Sequence, residues 1–488
     1  MSKGVIPRSQ DYARWYTDVV QKAELADYGP VRGTMVIRPY GYAIWELLQE
    51  AFDSRFKATG HQNAYFPLLI PKSFLSREAE HVAGFAKECA VVTHHRLRAA
   101  PDGGLEVDPD AKLDEELVIR PTSETVIWAM YKQWINSYRD LPILINQWAN
   151  IVRWELRTRL FLRTTEFLWQ EGHTAHATEA EAVEETLRIL GIYKEVVETE
   201  MAIPVLTGSK SDAEKFAGAV DTYAVEAMMG DRRALQAGTT HFLGQNFAKA
   251  FDVTFRDEHN EINHVWATSW GVSTRLMGAM VMVHGDDKGL RLPPRIAPYQ
   301  VVIVPIFKDE SRSTVLEAAG RIHDSLTAAG VRVHLDDRET VSPGFKFNDW
   351  EMKGAPLRVE IGPRDVAAGQ AVLGRRDTGE KQPHPMDQLS AIVPSLLDDI
   401  QASLYQQALT FRDTHTYEPR NWDEFKEIIT KGGFARCGWD GKAETEESIR
   451  EETKATIRLI LDETASKGRK CIRSGDKAKF DVIMAKAY

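Results

Sequence analysis

The sequence predicts an α/β multidomain protein, and three stretches predict it. Between Val301 and Ile361, apolar strand-like runs (Val301–Ile306, Val331–Leu335, Leu357–Ile361) alternate with helical stretches near 316–329 and 345–353. That β-α-β-α-β order marks a small α/β domain with a largely parallel sheet. Ahead of it, Trp148–His176 reads as a β-hairpin with a basic loop. Behind it, from about Phe411, the composition turns charged and helix-rich to Tyr488. A chain of 488 residues has room for about two to four domains. The boundaries are set at 1–295, 296–405 and 406–488, the first marked by Leu292-Pro-Pro-Arg-Ile-Ala-Pro298.

Composition narrows the class. A hydrophobic fraction of 43% provides for large cores. A formal net charge of -10 argues against non-specific nucleic-acid binding by the whole chain, but leaves room for a local patch, and Arg157, Arg159 and Arg163 form one. Only three cysteines (Cys89, Cys437, Cys471) imply no disulfide framework and a reducing compartment. The opening MSKGVIPRSQ lacks a signal peptide's apolar core, and no apolar run approaches the ~20 residues of a membrane span. A cytoplasmic protein without membrane contact is expected.

Taken in order, Asp11–Ala26 carries apolar residues at helical spacing, and Gly41–Thr59 repeats the pattern through Ile44, Leu47, Leu48, Phe52 and Phe56 before Gly60 ends it. Ala64–Ile70 reads as a buried strand, which Pro67 confines to a sheet edge or an interface. Residues 99–116 form an acidic surface excursion. Leu117–Thr125 passes from strand to helix; Thr122 or Ser123 is placed to cap it with Glu124 in the first turn, or Thr122 and Glu124 face a cleft and hold a ligand amine.

In the hairpin, Arg153 and Glu155 are two residues apart, as on one face of a strand, and Phe167, Trp169, Glu171 and His173 alternate likewise. A charged, aromatic sheet face is costly unless a ligand or partner ion compensates it. The readings are a ligand platform or a salt-bridged face. Thr178–Glu200 reads as a scaffold helix, and Phe216–Val220 as the approach to another helix. Leu235–Phe247 is a strand and its exit, with Gln236, Thr239 and His241 as candidate site groups. Ala267–His284 runs from strand into helix; Gly271 permits close approach, and Arg275 opposes the helix dipole, so an anionic partner is expected. The α/β unit has no glycine-rich phosphate loop and is not read as a nucleotide site.

Together these segments resemble the class II aminoacyl-tRNA synthetases, and specifically the prolyl-tRNA synthetase branch of archaeal and eukaryotic type, over essentially the whole chain. The helix leading to Tyr65-Phe66-Pro67 resembles the first class II motif, Val152-Arg-Trp-Glu155 with its hairpin the second, and Gly271-Val-Ser-Thr-Arg275 the third. Arg120-Pro-Thr-Ser-Glu124, Leu168-Trp-Gln-Glu-Gly-His173, Thr239-Thr-His-Phe-Leu-Gly244 and Thr268-Ser-Trp-Gly271 are specific to the prolyl branch. The resemblance implies an antiparallel-sheet catalytic domain flanked by helices, an α/β anticodon-binding domain and a small α+β C-terminal domain. It implies formation of prolyl-adenylate from L-proline and ATP with Mg2+, transfer of prolyl to tRNA(Pro) with release of AMP and pyrophosphate, and a homodimer. The large editing insertion of the common bacterial form has no room between the second and third motifs.

By the same resemblance, proline is held by Thr122, Glu124, Arg153, Trp169, Glu171, His173, Phe216, His241, Ser269 and Gly271. ATP is held by Arg153, Glu155, Thr164, Thr165, Phe167, Gln236, Thr239, Ser273 and Arg275, with Gln236 near magnesium. Arg153 and Arg275 are the catalytic cations, since a cation touching both anionic reactants cuts their repulsion. Asp336–Thr340 and Ser342–Lys346 lie where such domains meet anticodon bases, with Glu339, Phe345, Lys346 and Arg358 as candidates. Relatives often bind zinc through four cysteines in the third unit; with only Cys437 and Cys471 here, zinc is not expected, the alternative being a site completed by Asp440 or Asp476. The closing Tyr488 matches the family's habit and is expected near the catalytic domain. Two other readings stand beside this one: a catalytically idle, tRNA-binding or regulatory paralogue, and a sister class II enzyme for threonine, glycine or serine.

Overall fold

Helical spacing of apolar residues produces α1 (Tyr12–Lys22) and α2 (Pro39–Ala58) in the computed structural model, which describes residues 4–77, 89–462 and 468–488. Asp11 caps α1 by accepting from the Arg14 amide at 3.0 Å. Ile44, Leu48, Phe52 and Phe56 of α2 are buried as their spacing requires, and Gly60 follows with φ 91°.

Ala64–Ile70 is not one buried strand. β1 (Gln62–Asn63) precedes it, residues 64–68 have no regular structure, and pairing resumes only from Leu69 to Pro71. Pro67 has no N–H to give a ladder, and Tyr65 is 72% exposed. A second departure follows Phe216: the chain turns through Val220 into a strand, not a helix.

The catalytic unit is organised by an antiparallel sheet. Its strands are β3 (Ile143–Val152), β4 (Glu166–His176), β5 (Val205–Ser209), β6 (Asp221–Met228), β7 (Ala234–Gly244) and β8 (Trp266–Ser273), after β2 (Lys112–Ile119) has led through a turn into α3 (Glu124–Trp134). The sheet order is β5-β6-β7-β8-β4-β3-β1, antiparallel except where β1 joins β3. Alternation gives each strand two faces. Helix α4 (Glu179–Thr199), capped by Thr178 and Glu181, covers one face and buries Ile189, Tyr193 and Val196 there. Tyr193 donates to Gln170 at 2.7 Å, and its ring meets Phe52, Phe56 and Trp270. Gly172 is required on this face, because a Cβ would fall 2.1 Å from the Trp270 ring. The opposite face is left for the site. Helix α5 (Arg275–His284) leaves β8 and is buried along Leu276–Met282.

The proline-rich boundary is not a loose linker: Leu292, Ile296 and Ala297 pack into the catalytic core. The second unit has β9 (Val301–Pro305), α6 (Arg312–Ala328), β10 (Val333–Leu335), α7 (Pro343–Lys353), β11 (Leu357–Ile361), β12 (Gln370–Arg375) and β13 (Lys381–Pro385). β10, β9 and β11 are parallel as the alternation predicts, but β12 and β13 add antiparallel, so the sheet is mixed. Helix α8 (Leu389–Thr414) runs unbroken past residue 405 into the third unit.

That third unit does not stand apart. Its strands β14 (Thr416–Tyr417), β15 (Phe434–Trp439), β16 (Thr456–Asp462) and β17 (Phe480–Ala485) continue the catalytic sheet beyond β5, through the pairing of Ser209 with Ile460. Cys437 and Cys471 are buried in its apolar core, where burial pushes the Cys437 thiol up. Asp440 accepts from Thr445 and Ser474, and Asp476 pairs with Lys442. Two thiols among apolar neighbours and two engaged carboxylates do not fit a structural zinc.

Candidate active site

The uncovered sheet face holds a cavity of about 260 Å³. Phe167, Trp169, Glu171 and His173 reach it from β4, Gln236, Thr239 and His241 from β7, and Ser269, Gly271 and Ser273 from β8. Thr122, Arg153 and Phe216 close it from loops, and Glu124 and Arg275 from the first residues of α3 and α5. Widely separated stretches converge because β4, β8 and β7 are neighbours, with Glu171 opposite Gly271, which is opposite Thr239.

Arg153 and Glu155 are not on a strand face. β3 ends at Val152, and both lie in the following loop. Arg153 nonetheless faces the cavity: its Nε donates to the Pro121 carbonyl at 3.1 Å, and its guanidinium lies 5.5 Å from the Trp169 ring centre and 5.8 Å from that of Phe167. Burial pulls it down to about 10, still charged at neutral pH. Glu155 is outside the cavity lining; it accepts from the Arg157 amide at 3.1 Å and meets Arg163 at 3.3 Å. Thr164 and Thr165 are also off the lining, buried at the hairpin neck, where the Thr165 carbonyl accepts from the Arg153 amide.

The capping reading of Ser123 fails. It occupies the N-cap of α3, but its hydroxyl donates to Glu171 across the cavity wall, and Thr122 donates to Glu124. Glu171 also accepts from Gln147 at 2.7 Å and pairs with His173 at 3.0 Å. Burial opposes ionisation of both members of that pair; the hydrogen bonds and opposite charge outweigh it, lowering Glu171 and raising His173. His241 differs: burial, then the His173 charge, takes it to about 3, so it is neutral. It meets the Thr222 hydroxyl at 3.0 Å and stacks on Phe216, ring centres 4.5 Å apart.

Arg275 has no carboxylate partner within ion-pair distance among the described residues, although a partner was expected from its position against the helix dipole. Burial, then neighbouring Arg163, lowers its guanidinium. Two arginines and a carboxyl–imidazole wall lining one cavity suit a ligand that is anionic in one part and cationic in another.

Glu214, Thr222, Ser123 and Gln147 were missed by the sequence reading. The first two line the cavity; the others anchor Glu171. Thr222 was legible through the alternation Thr222, Ala224, Glu226, had a strand been placed there. The anticodon candidates lie in the second unit. Phe345 is 38% exposed; Glu339 pairs with Arg312, and Arg358 lies over Phe347 and pairs with Glu360. Lys346 is buried and donates to the Asp336 carbonyl at 2.8 Å, which corrects its expected position at a base-contacting surface.

Comparison with known proteins fits this layout. The tRNA synthetase class II core domain (G, H, P, S and T) matches residues 106–284, the anticodon binding domain 300–396, and the prolyl-tRNA synthetase C-terminal family 422–488. A proline–tRNA ligase of Bacteroides fragilis is 58% identical over 100% of this chain and 99% of its own length. The chain belongs to the proline–tRNA ligase family. Further proline–tRNA ligases, from Porphyromonas gingivalis and Flavobacterium johnsoniae, are 58% and 55% identical, again over 100% of this chain and 99% and 100% of theirs. Within a proline–tRNA ligase fold, the cavity lies on the class II core, and no helix among the described residues is long and apolar enough to cross a membrane.

Proposed function

We propose that the protein activates L-proline with ATP and transfers the prolyl group to tRNA(Pro). The observation that carries this is the pairing, in one cavity on a class II core, of Arg153 and Arg275 with the Thr122–Glu124 and Glu171–His173 groups. Proline's carboxylate oxygen attacks the α-phosphorus, the bond to the bridging oxygen breaks, and pyrophosphate leaves with its electron pair. Arg153 holds the attacking carboxylate against the α-phosphate and offsets the charge both bring; Arg275 holds the leaving phosphates. Glu124, oriented by Thr122, accepts from the secondary ammonium, and Trp169 and Phe216 wall the ring. Neutral His241, fixed by Thr222, adds bulk without a repelling charge.

Magnesium, when bound with ATP, would offset the charge of the phosphates. Gln236 and Ser273 offer neutral oxygens on the lining, which suits a hard cation that takes most of its ligands from phosphate and water. The adenine subsite assigned to Glu155 requires that residue to exchange its Arg163 pairing for the base. The short interval between hairpin and third motif supports the type without the editing insertion. Exposed Tyr28, Val31, Val36, Tyr65 and Leu69 support a homodimer, and the cysteine content supports a cytoplasmic location.

Proline-dependent exchange of pyrophosphate into ATP is expected, and R153A should lower it roughly 10²–10³-fold, as loss of a preorganised charge does. Exchange driven by another amino acid and not by proline overturns the substrate; tRNA binding with no adenylate formation supports the idle paralogue.

A further inference from the structure

The third unit places one cation behind the cavity. Arg458 stands at a bulge of β16: Ile457 and Leu459 pair with Met484 and Ile483, leaving Arg458 as the extra residue. A bulge re-aims its extra side chain, and this one crosses the seam into the catalytic unit. It donates to Glu226 Oε1 at 2.6 Å and reaches Glu214, on the cavity lining, at 3.5 Å. Lys210 donates to the same Glu226 oxygen at 2.8 Å, and Lys210, Glu226 and Arg458 are all buried. The other oxygen, Oε2, is buried with no hydrogen-bond partner among the described residues.

Glu226 lies opposite Gln236 in the β6–β7 ladder, and opposite residues share a face, so its carboxylate is on the ligand side of the sheet. Arg275, which has no carboxylate partner within ion-pair distance among the described residues, is disfavoured as a cation by burial, then by Arg163, while Glu226 favours its charge and Arg458 opposes it. A buried carboxylate released on the sheet face whose cavity carries such a guanidinium would pair with it.

We propose that Arg458 is a positioning residue for adenylate formation: with Lys210 it holds Glu226 in the seam, and so keeps Arg275 available to the phosphates of the nucleotide. The inference rests on the reading of the cavity as an ATP and proline site. It makes the third unit part of the catalytic apparatus, acting through Glu226 and touching no substrate.

The test is a double-mutant cycle in the full-length protein, with R458M, E226Q and R458M/E226Q read by pyrophosphate exchange. In R458M the ATP KM should rise about tenfold while the proline KM stays within about twofold, an ordinary size for coupling between neighbouring groups. Adding E226Q should return the ATP KM to within about threefold of wild type, because an uncharged amide no longer competes for Arg275. An Arg458 that merely held the units together would leave the double variant at least as impaired as the single. R458M removes one of the two cations that hold Glu226 and leaves Lys210 to share its charge, so the variant should fold while the carboxylate gains freedom to turn to Arg275; should it be insoluble, R458Q removes the same charge and reads the same. An unchanged ATP KM in a folded neutral variant, or a double variant no better than the single, overturns the proposal. Calorimetric binding of a non-hydrolysable ATP analogue carries the same expectation without turnover: a wild type inactive with proline sinks the substrate reading, while equal analogue affinities of wild type and R458M sink this one.

Discussion

Replacing Glu171 with Gln changes the cavity wall by one atom and one charge, and the geometry fixes the result. Oε1 faces two donors, the Ser123 hydroxyl and the Gln147 amide, while Oε2 faces His173 at 3.0 Å. A carboxamide must turn its oxygen to the two donors, which points its NH2 at the imidazole. His173 then has to present a bare nitrogen and lose its charge. A charge-assisted hydrogen bond of about 1.5–3 kcal/mol becomes a neutral one of about 0.5–1.5, so E171Q should cost about 1–2 kcal/mol. The pH window follows from the two shifts. His173 is raised in the fold, so its contribution is complete below 6.5 and is lost as pH rises through the raised value. Glu171 is lowered, so its contribution is present above 4.5 and is lost as pH falls through the lowered value. The difference between wild type and E171Q should therefore be largest between those limits and shrink in alkali. Urea unfolding at pH 5.5 and pH 8.5 measures it, and an NMR titration of the His173 ring should show a fall in E171Q. A stability difference equal at both pH values, or an unmoved His173, refutes the argument.

His284 tests the opposite sign: burial takes it to about 3 from 6.5, so the unfolded chain binds the proton first and stability falls on acidification between those values. H284Q should flatten the loss between pH 6.5 and 5.5 by at most about 1.4 kcal/mol per pH unit, and parallel urea-derived stability curves would exclude it. Tyr488 docks the C-terminus on the catalytic unit: its amide donates to the Ala234 carbonyl, its hydroxyl donates to Asp231, and Arg233 and Arg159 lie over its ring. Y488F should lose about 1.5–2 kcal/mol of stability by denaturant unfolding, and a change below about 0.3 would show that the hydrogen bond is neutral overall.

Periodicity made much of this fold legible. The α2 stripe, the β4 alternation and the β-α-β-α-β order of the second unit each have one residue spacing that only one element satisfies. What failed has local causes. Ala64–Ile70 was apolar enough for a strand, but Pro67 withholds a donor, and exposed Tyr65 breaks the buried pattern. Ser123 and Glu124 spell a capping pair, yet Ser123 donates to Glu171, a residue 48 positions away that no local pattern reveals. Lys346 looked like a cation for a nucleic acid until the fold brought the Asp336 carbonyl beneath it.

The bulges explain why alternation reads one side of the cavity throughout and loses step part-way along the other. On β4 the odd positions from Phe167 to His173 line the cavity in unbroken register with β3 and β8. On β7 the same rule selects Thr239 and His241 and then predicts Ala237, but the ladder slips between Val225 and Glu226: Gly238 pairs with Val225 and Gln236 with Glu226. Ala237 is the extra residue, and Gln236 takes the place on the ligand face that strict alternation gives to an alanine. The slip at Arg458 does the same in β16. An extra residue has no signature in hydrophobic period, because a bulge shifts the face without changing the residue types on either side. The polar residue types of Leu235–Phe247 marked Gln236 where periodicity could not, and Arg458, which neither periodicity nor resemblance singled out, became visible only once the third unit was seen to continue the catalytic sheet.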